Sequence, residues 1–96
     1  MIFNNFIESW KMETTLLNRI TANPSVLTGK PVVRGMRISV EQILKMLARG
    51  ISHEDIIKEF PLLEEDDIKA CLIYAADIIS HEVERHDKYI NIKNNS

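Results

Sequence analysis

The sequence predicts a mainly α fold: a compact three-helix, helix-turn-helix core of the homeodomain-like kind, preceded by a short N-terminal β arm or hairpin. Three observations predict it. Apolar residues recur at three- and four-residue spacing in three segments after Ser39. Gly50 separates the first two segments and Pro61 the last two. Before Ser39, short β-branched pieces alternate with turn residues.

Taken in order, residues 1–13, MIFNNFIESWKME, mix aromatic and polar groups without a sustained period and read as a leader outside the domain. Leu16 to Ile20 is a brief apolar stretch, and Asn23-Pro24 turns the chain after it. Thr28-Gly29-Lys30-Pro31 is a second turn. Val32-Val33 is strand-prone, Arg34-Gly35 breaks it, and Met36-Arg37-Ile38 alternates at period 2. Ser39 with Gln42 makes a capping box, in which hydroxyl and amide each take a free backbone N–H. Val40, Ile43, Leu44, Leu47 and Ile51 form the apolar stripe of the first helix, and Gly50 supplies its left-handed end.

Ser52, with Asp55 three residues on, starts the second helix, whose Ile56, Ile57 and Phe60 face inward until Pro61 stops it. The third helix carries Ile68, Cys71, Leu72, Ala75, Ile78 and Ile79 as one continuous stripe. The dipole favours its acidic first turn, Glu64 to Asp67. Residues 81–96 form a polar tail that is expected to continue the helix briefly and then lose order. A single helix-turn-helix domain is therefore bounded at residues 14–80. Gly50, followed by the apolar Ile51 and by Ile56 in the next helix, has helix-turn-helix spacing. Met46 is larger than the small residue usual four positions before the glycine.

A 96-residue chain buries a thin core, so oligomerisation is expected. The net charge of -2 conceals a division. Residues 30–50 carry Lys30, Arg34, Arg37, Lys45 and Arg49 against Glu41, a net +4, whereas residues 51–70 are net −5. A basic patch beside an acidic one suits an anionic partner on one face and a cationic partner or second subunit on another. No apolar run is long enough to cross a bilayer, and the N-terminus lacks a basic start followed by an apolar segment. One cysteine fits a reducing compartment. A cytoplasmic protein is expected.

Several chemistries lack their residues. His81 and His86 are five apart, about 140° around a helix, so HEVERH does not present two imidazoles on one face as a zincin requires. Gly29-Lys30-Pro31 has proline where a phosphate-binding P-loop needs a hydroxyl, and no GxxxxG precedes it. Cys71 lies on an apolar stripe without a partner base and reads as a small hydrophobe. The consecutive carboxylates at 64–67 lack the alternating ligands of a calcium loop and read as a helix start. No catalytic, cofactor or metal residues emerge, and no enzyme is expected.

The basic segment remains. Lys30, Arg34, Arg37, Lys45 and Arg49 are the candidate DNA-binding residues, through phosphate contacts. The second helix opposes conventional docking, because His53, Glu54, Asp55 and Glu59 are offset only by Lys58, and carboxylates find few donors in the major groove. The β arm and first helix would then carry more of any contact.

The Asn-Pro turn, Gly-Lys-Pro, Arg-Gly-x-Arg, Gly-x-Ser between helices and the closing Asp-Ile-x-Ala resemble the family called domain of unknown function 433, over about residues 16–80. The chain departs from the family pattern at Glu64, often threonine, at Cys71, often alanine, and in its leader. The resemblance implies a helix-turn-helix domain that acts as a VapB-type antitoxin of a type II toxin-antitoxin pair. Such a protein is a homodimer that binds its own promoter DNA and neutralises a PIN-like ribonuclease toxin. The alternative expectation is a protein-interaction module on the same scaffold, without DNA binding.

Overall fold

The β-branched pair Val32-Val33 becomes the middle of the β structure. The computed structural model describes residues 13–95, with side chains described through His81; the leader expected at 1–13 thus lies, except for Glu13, outside the described residues. Residues 13–17 are helical. Strand β1 (Ile20–Thr21) then pairs antiparallel with β2 (Val32–Val33), Ile20 opposite Val33 and Thr21 opposite Val32. Between them, Leu27–Gly29 makes a tight turn with positive φ at all three residues.

On its other edge β2 meets the chain that follows it. Val33 donates to the Ile38 carbonyl at 3.0 Å, and Val40 donates to that of Pro31 at 3.0 Å. Arg34 and Gly35 form the tip, with φ of 43° and 71°, and Met36 N–H closes the turn on the Val33 carbonyl at 2.8 Å. Positive φ at both central residues matches the right-handed twist of the flanking strands. Glycine adopts this at little cost, whereas arginine is held there against its preference.

Three helices follow: α1 (Val40–Ala48), α2 (His53–Glu59) and α3 (Glu65–Asn95). Ser39 caps α1, its hydroxyl accepting the Gln42 N–H at 3.0 Å; among the described contacts only this serine half of the expected capping box forms. Ser52 caps α2 by accepting from Asp55 N–H at 3.1 Å. Between the two helices Gly50 has φ of 83°, Gly50 N–H bonds the Leu47 carbonyl, and Ile51 N–H reaches back to Met46. Those two bonds satisfy carbonyls left free by the helix end, and the left-handed residue between them is where glycine is favoured.

The core is Val33, Val40, Ile43, Ile56, Leu63, Ile68 and Cys71, to which every element after Thr21 except the Leu27–Gly29 turn contributes. The chain is thus mainly helical, with one small antiparallel hairpin. Two sequence expectations need correction. The α3 stripe is not buried throughout: Ile68 and Cys71 are inside, but Leu72, which turns away from the core directly after Cys71, and Ile78 and Ile79 further along are exposed. The helix also runs on to Asn95, whereas the tail was expected to lose order soon after Ser80. No described helix is long and apolar enough to cross a membrane.

Candidate nucleic-acid interface

The five candidate cations separate into two environments, and the division begins with the hairpin register. Ile20 opposite Val33 places Arg19 opposite Arg34, and the Arg34 N–H donates to the Arg19 carbonyl at 2.7 Å. Two like charges across a strand pair repel. Asp67 resolves the repulsion. Its carboxylate, 0% exposed, accepts from Arg34 Nε at 3.0 Å, from another Arg34 nitrogen at 2.9 Å and from Arg19 at 2.9 Å. It also accepts the Glu64 N–H at 2.8 Å, one of the free donors at the start of α3.

Burial drives the Asp67 carboxyl upward, but the bonds from Arg34, the Glu64 N–H and Arg19 outweigh it and hold it below the ordinary carboxylate value. Both guanidiniums are correspondingly raised, Arg34 chiefly by Asp67 and Arg19 chiefly by Glu64. Arg34 further donates to the Leu62 carbonyl at 2.8 Å. Its cation ties the hairpin tip to the α2–α3 connection and to the start of α3. That grip accounts for a non-glycine residue in a left-handed turn.

Lys30, Lys45 and Arg49 lie elsewhere, around one polar concavity of about 330 Å³ along α1, together with Ser39, Glu41, Gln42 and Met46. The spacing of 41, 45 and 49 places three charged residues on one helix face at four-residue intervals. Lys30 reaches them from the turn before β2. Glu41 pairs with Lys45 at 3.0 Å and with Lys30 at 3.1 Å, and those two ammonium groups, Lys45 first, hold its carboxyl below the usual range. Two lysines share one carboxylate and Arg49 has no ion pair among the described contacts, so the concavity keeps a positive excess. Arg37, in the exposed connection before Ser39, also makes no ion pair among the described contacts.

The acidic half of the chain divides as well. Glu64 and Asp66 join Asp67 around Arg19, at 2.6 Å and 3.8 Å. Glu65 lies 2.5 Å from His53 Nδ1, joining the starts of α2 and α3. Glu54, Asp55 and Glu59 remain on the exposed face of α2. Among the described residues no cluster of His, Cys, Asp or Glu is placed to hold a metal ion. Sequence reasoning passed over Arg19 and saw in Asp67 only a helix-start carboxylate. Their partnership depends on the strand register, and the available signal was a pair of arginines flanking the two β segments.

With this geometry in place, the comparisons fix the family. Residues 20–75 match the family described as "Protein of unknown function (DUF433)". The chain belongs to that family. It is also 38% identical, over 56 residues, to the "Uncharacterized protein y4eO" of Sinorhizobium fredii (strain NBRC 101917 / NGR234). That stretch is 58% of this chain but 25% of the relative, so the chain spans about a quarter of the protein it resembles. No solved structure matches significantly.

Proposed function

We propose that this chain is a dimeric nucleic-acid-binding regulator of helix-turn-helix type, the antitoxin of a type II pair, which represses its own promoter and neutralises a PIN-like ribonuclease. The observation that carries the nucleic-acid part is the convergence of Lys30, Lys45 and Arg49 on one concavity beside the glycine turn of α1 and α2. Phosphate oxygens are suited to such a site, where they would compete with Glu41 for the two lysines. Arg37 and Arg49, which have no carboxylate to give up among the described residues, would contribute most. The antitoxin part rests on the family resemblance and on the exposed carboxylates of α2, which complement a basic surface such as a ribonuclease presents to RNA.

Binding of the full chain to its own upstream DNA, measured by fluorescence anisotropy across a salt series, tests this. The logarithm of affinity should fall steeply with that of salt concentration, and Arg37→Ala with Arg49→Ala should reduce the slope by about two per chain. A flat salt dependence, or no binding at low salt, would refute it. A second reading, a protein-interaction module without DNA binding, is favoured by the acidic α2 face. Co-purification of a basic partner by a chain that ignores DNA would select that reading.

A further inference from the structure

Among the described residues that line the basic concavity, Glu41 is the one acid. Its two oxygens serve two different elements. Oε2 takes Lys45, one turn further along α1, at 3.0 Å, and Oε1 takes Lys30, from the turn before β2, at 3.1 Å. The Lys45 contact is an ordinary helical pair at four-residue spacing. The Lys30 contact is not, because the helix has no need of a cation from another element. We infer that Glu41 is a tethered stand-in for phosphate, an internal counter-ion that an incoming phosphate displaces and that thereby limits the affinity of this site for nucleic acid. The inference deepens the proposal above and rests on its phosphate-binding reading, not on the dimer or the toxin.

The Glu41 side chain is 51% exposed and both lysines more so. Ion pairs in that setting form and break in water and contribute little to stability, so stability alone does not explain why one carboxylate gathers two lysines. Its reach is also incomplete. Both oxygens are engaged, and Arg49, the third cation of the concavity, has no ion pair among the described contacts. Arg49 lies one helical turn, about 6 Å, beyond Lys45. A nucleic-acid strand carries a phosphate about every 3.4 Å of helix axis, so Lys30 and Lys45 can share one phosphate while Arg49 takes a neighbouring one. A guanidinium suits that role, because its paired N–H donors match phosphate oxygens. A single carboxylate cannot satisfy both places, and a strand can.

Displacement has a signature in salt. When phosphate takes the lysines, the freed Glu41 takes up a cation from solution, so binding releases about one ion fewer than the lysine contacts alone would. Because Lys45 and Lys30 hold its carboxyl below the usual range, Glu41 is ionised near neutrality and this uptake is in full effect there. Glu41→Gln removes it, and the plot of log affinity against log salt should steepen by about one per chain. For two lines that meet at 1 M salt, a slope difference of one is a factor of about ten at 0.1 M.

Anisotropy titrations of the full chain against its own upstream DNA over a salt series, with retention on immobilised heparin as a sequence-free polyanion, test this. Glu41→Gln should bind the DNA about tenfold more tightly at 0.1 M salt, with a slope steeper by about one, and should leave heparin at higher salt. Glu13→Gln makes the same change of charge at an exposed position beside Ile73 and Asp77 of α3, outside the concavity, and should alter affinity by less than about twofold. The urea midpoint of Glu41→Gln should stay where it is, which separates a gain in binding from a gain in folding. Equal behaviour of the two variants, or weaker binding by Glu41→Gln, overturns the inference, while binding of DNA by the unchanged chain preserves the proposal above. If no variant binds the upstream DNA, the DNA reading fails and heparin decides alone. Later elution of Glu41→Gln than of Glu13→Gln then sustains the displaceable counter-ion, and co-elution or no retention overturns it.

Discussion

Asp67→Asn probes the joint between hairpin and helices most directly. The change is nearly isosteric and opens no cavity. The carboxylate accepts four hydrogen bonds, two at each oxygen. An amide has one acceptor, so either orientation gives up two of the four and turns an NH₂ toward donors. In one orientation the Glu64 N–H and one Arg34 nitrogen lose their partner; in the other, Arg19 and Arg34 Nε do. A hydrogen bond to a charged group contributes roughly 1.5–3 kcal/mol, and breaking a buried ion pair costs about 3–5 kcal/mol.

Both arginines reach water and an amide is less costly to bury than a carboxylate, so the low end applies, about 3 kcal/mol. In a domain of this size that lowers the melting temperature by roughly 12–24 °C. Urea denaturation followed by circular dichroism at pH 7 measures it, and a loss below about 1 kcal/mol would refute the account of this joint. The acid limb provides a second reading. The Asp67 carboxyl lies below its unfolded value in the folded chain. Its contribution is therefore fully present above about pH 4 and is lost as pH falls through the folded value. Asp67→Asn should remove that part of the acid sensitivity.

Two further outcomes follow from the backbone and the core. Gly50→Ala meets no atom within 4 Å of the added Cβ, so its cost is conformational, about 1–2 kcal/mol at a φ of 83°, read as a shift in urea midpoint at unchanged slope. Burial, and the nearby Asp67 charge, push the Cys71 thiol up to about 12. Its alkylation at pH 8 should therefore proceed only as fast as the chain opens, and a rate like that of a free thiol would contradict its place in the core.

Periodicity and punctuation were enough for the helices. The hydroxyls of Ser39 and Ser52, the left-handed Gly50 and the stop at Pro61 act within a few residues of chain, so the local sequence contains all their causes. The same holds for the turn at Arg34-Gly35, though the reason an arginine tolerates it does not lie there. Charge counting placed five cations in one segment but gave no indication of which were already partnered. Arg34 and Lys45 are equally basic on paper, yet one is committed to a buried carboxylate 33 residues away and the other to an exposed one four residues before it.

The sequence by itself determined where α1 and α2 begin and end and where α3 begins, though not where α3 ends, because caps, glycine turns and apolar spacing are short-range. It determined the family through motifs of the same local kind. Only the tertiary structure decided that Arg19 and Arg34 share Asp67, that Lys30, Lys45 and Arg49 share a concavity, and that half the α3 stripe stays in water. Each of those depends on which surfaces meet. Residue spacing along one helix specifies an apolar face but not how much of it a neighbour covers.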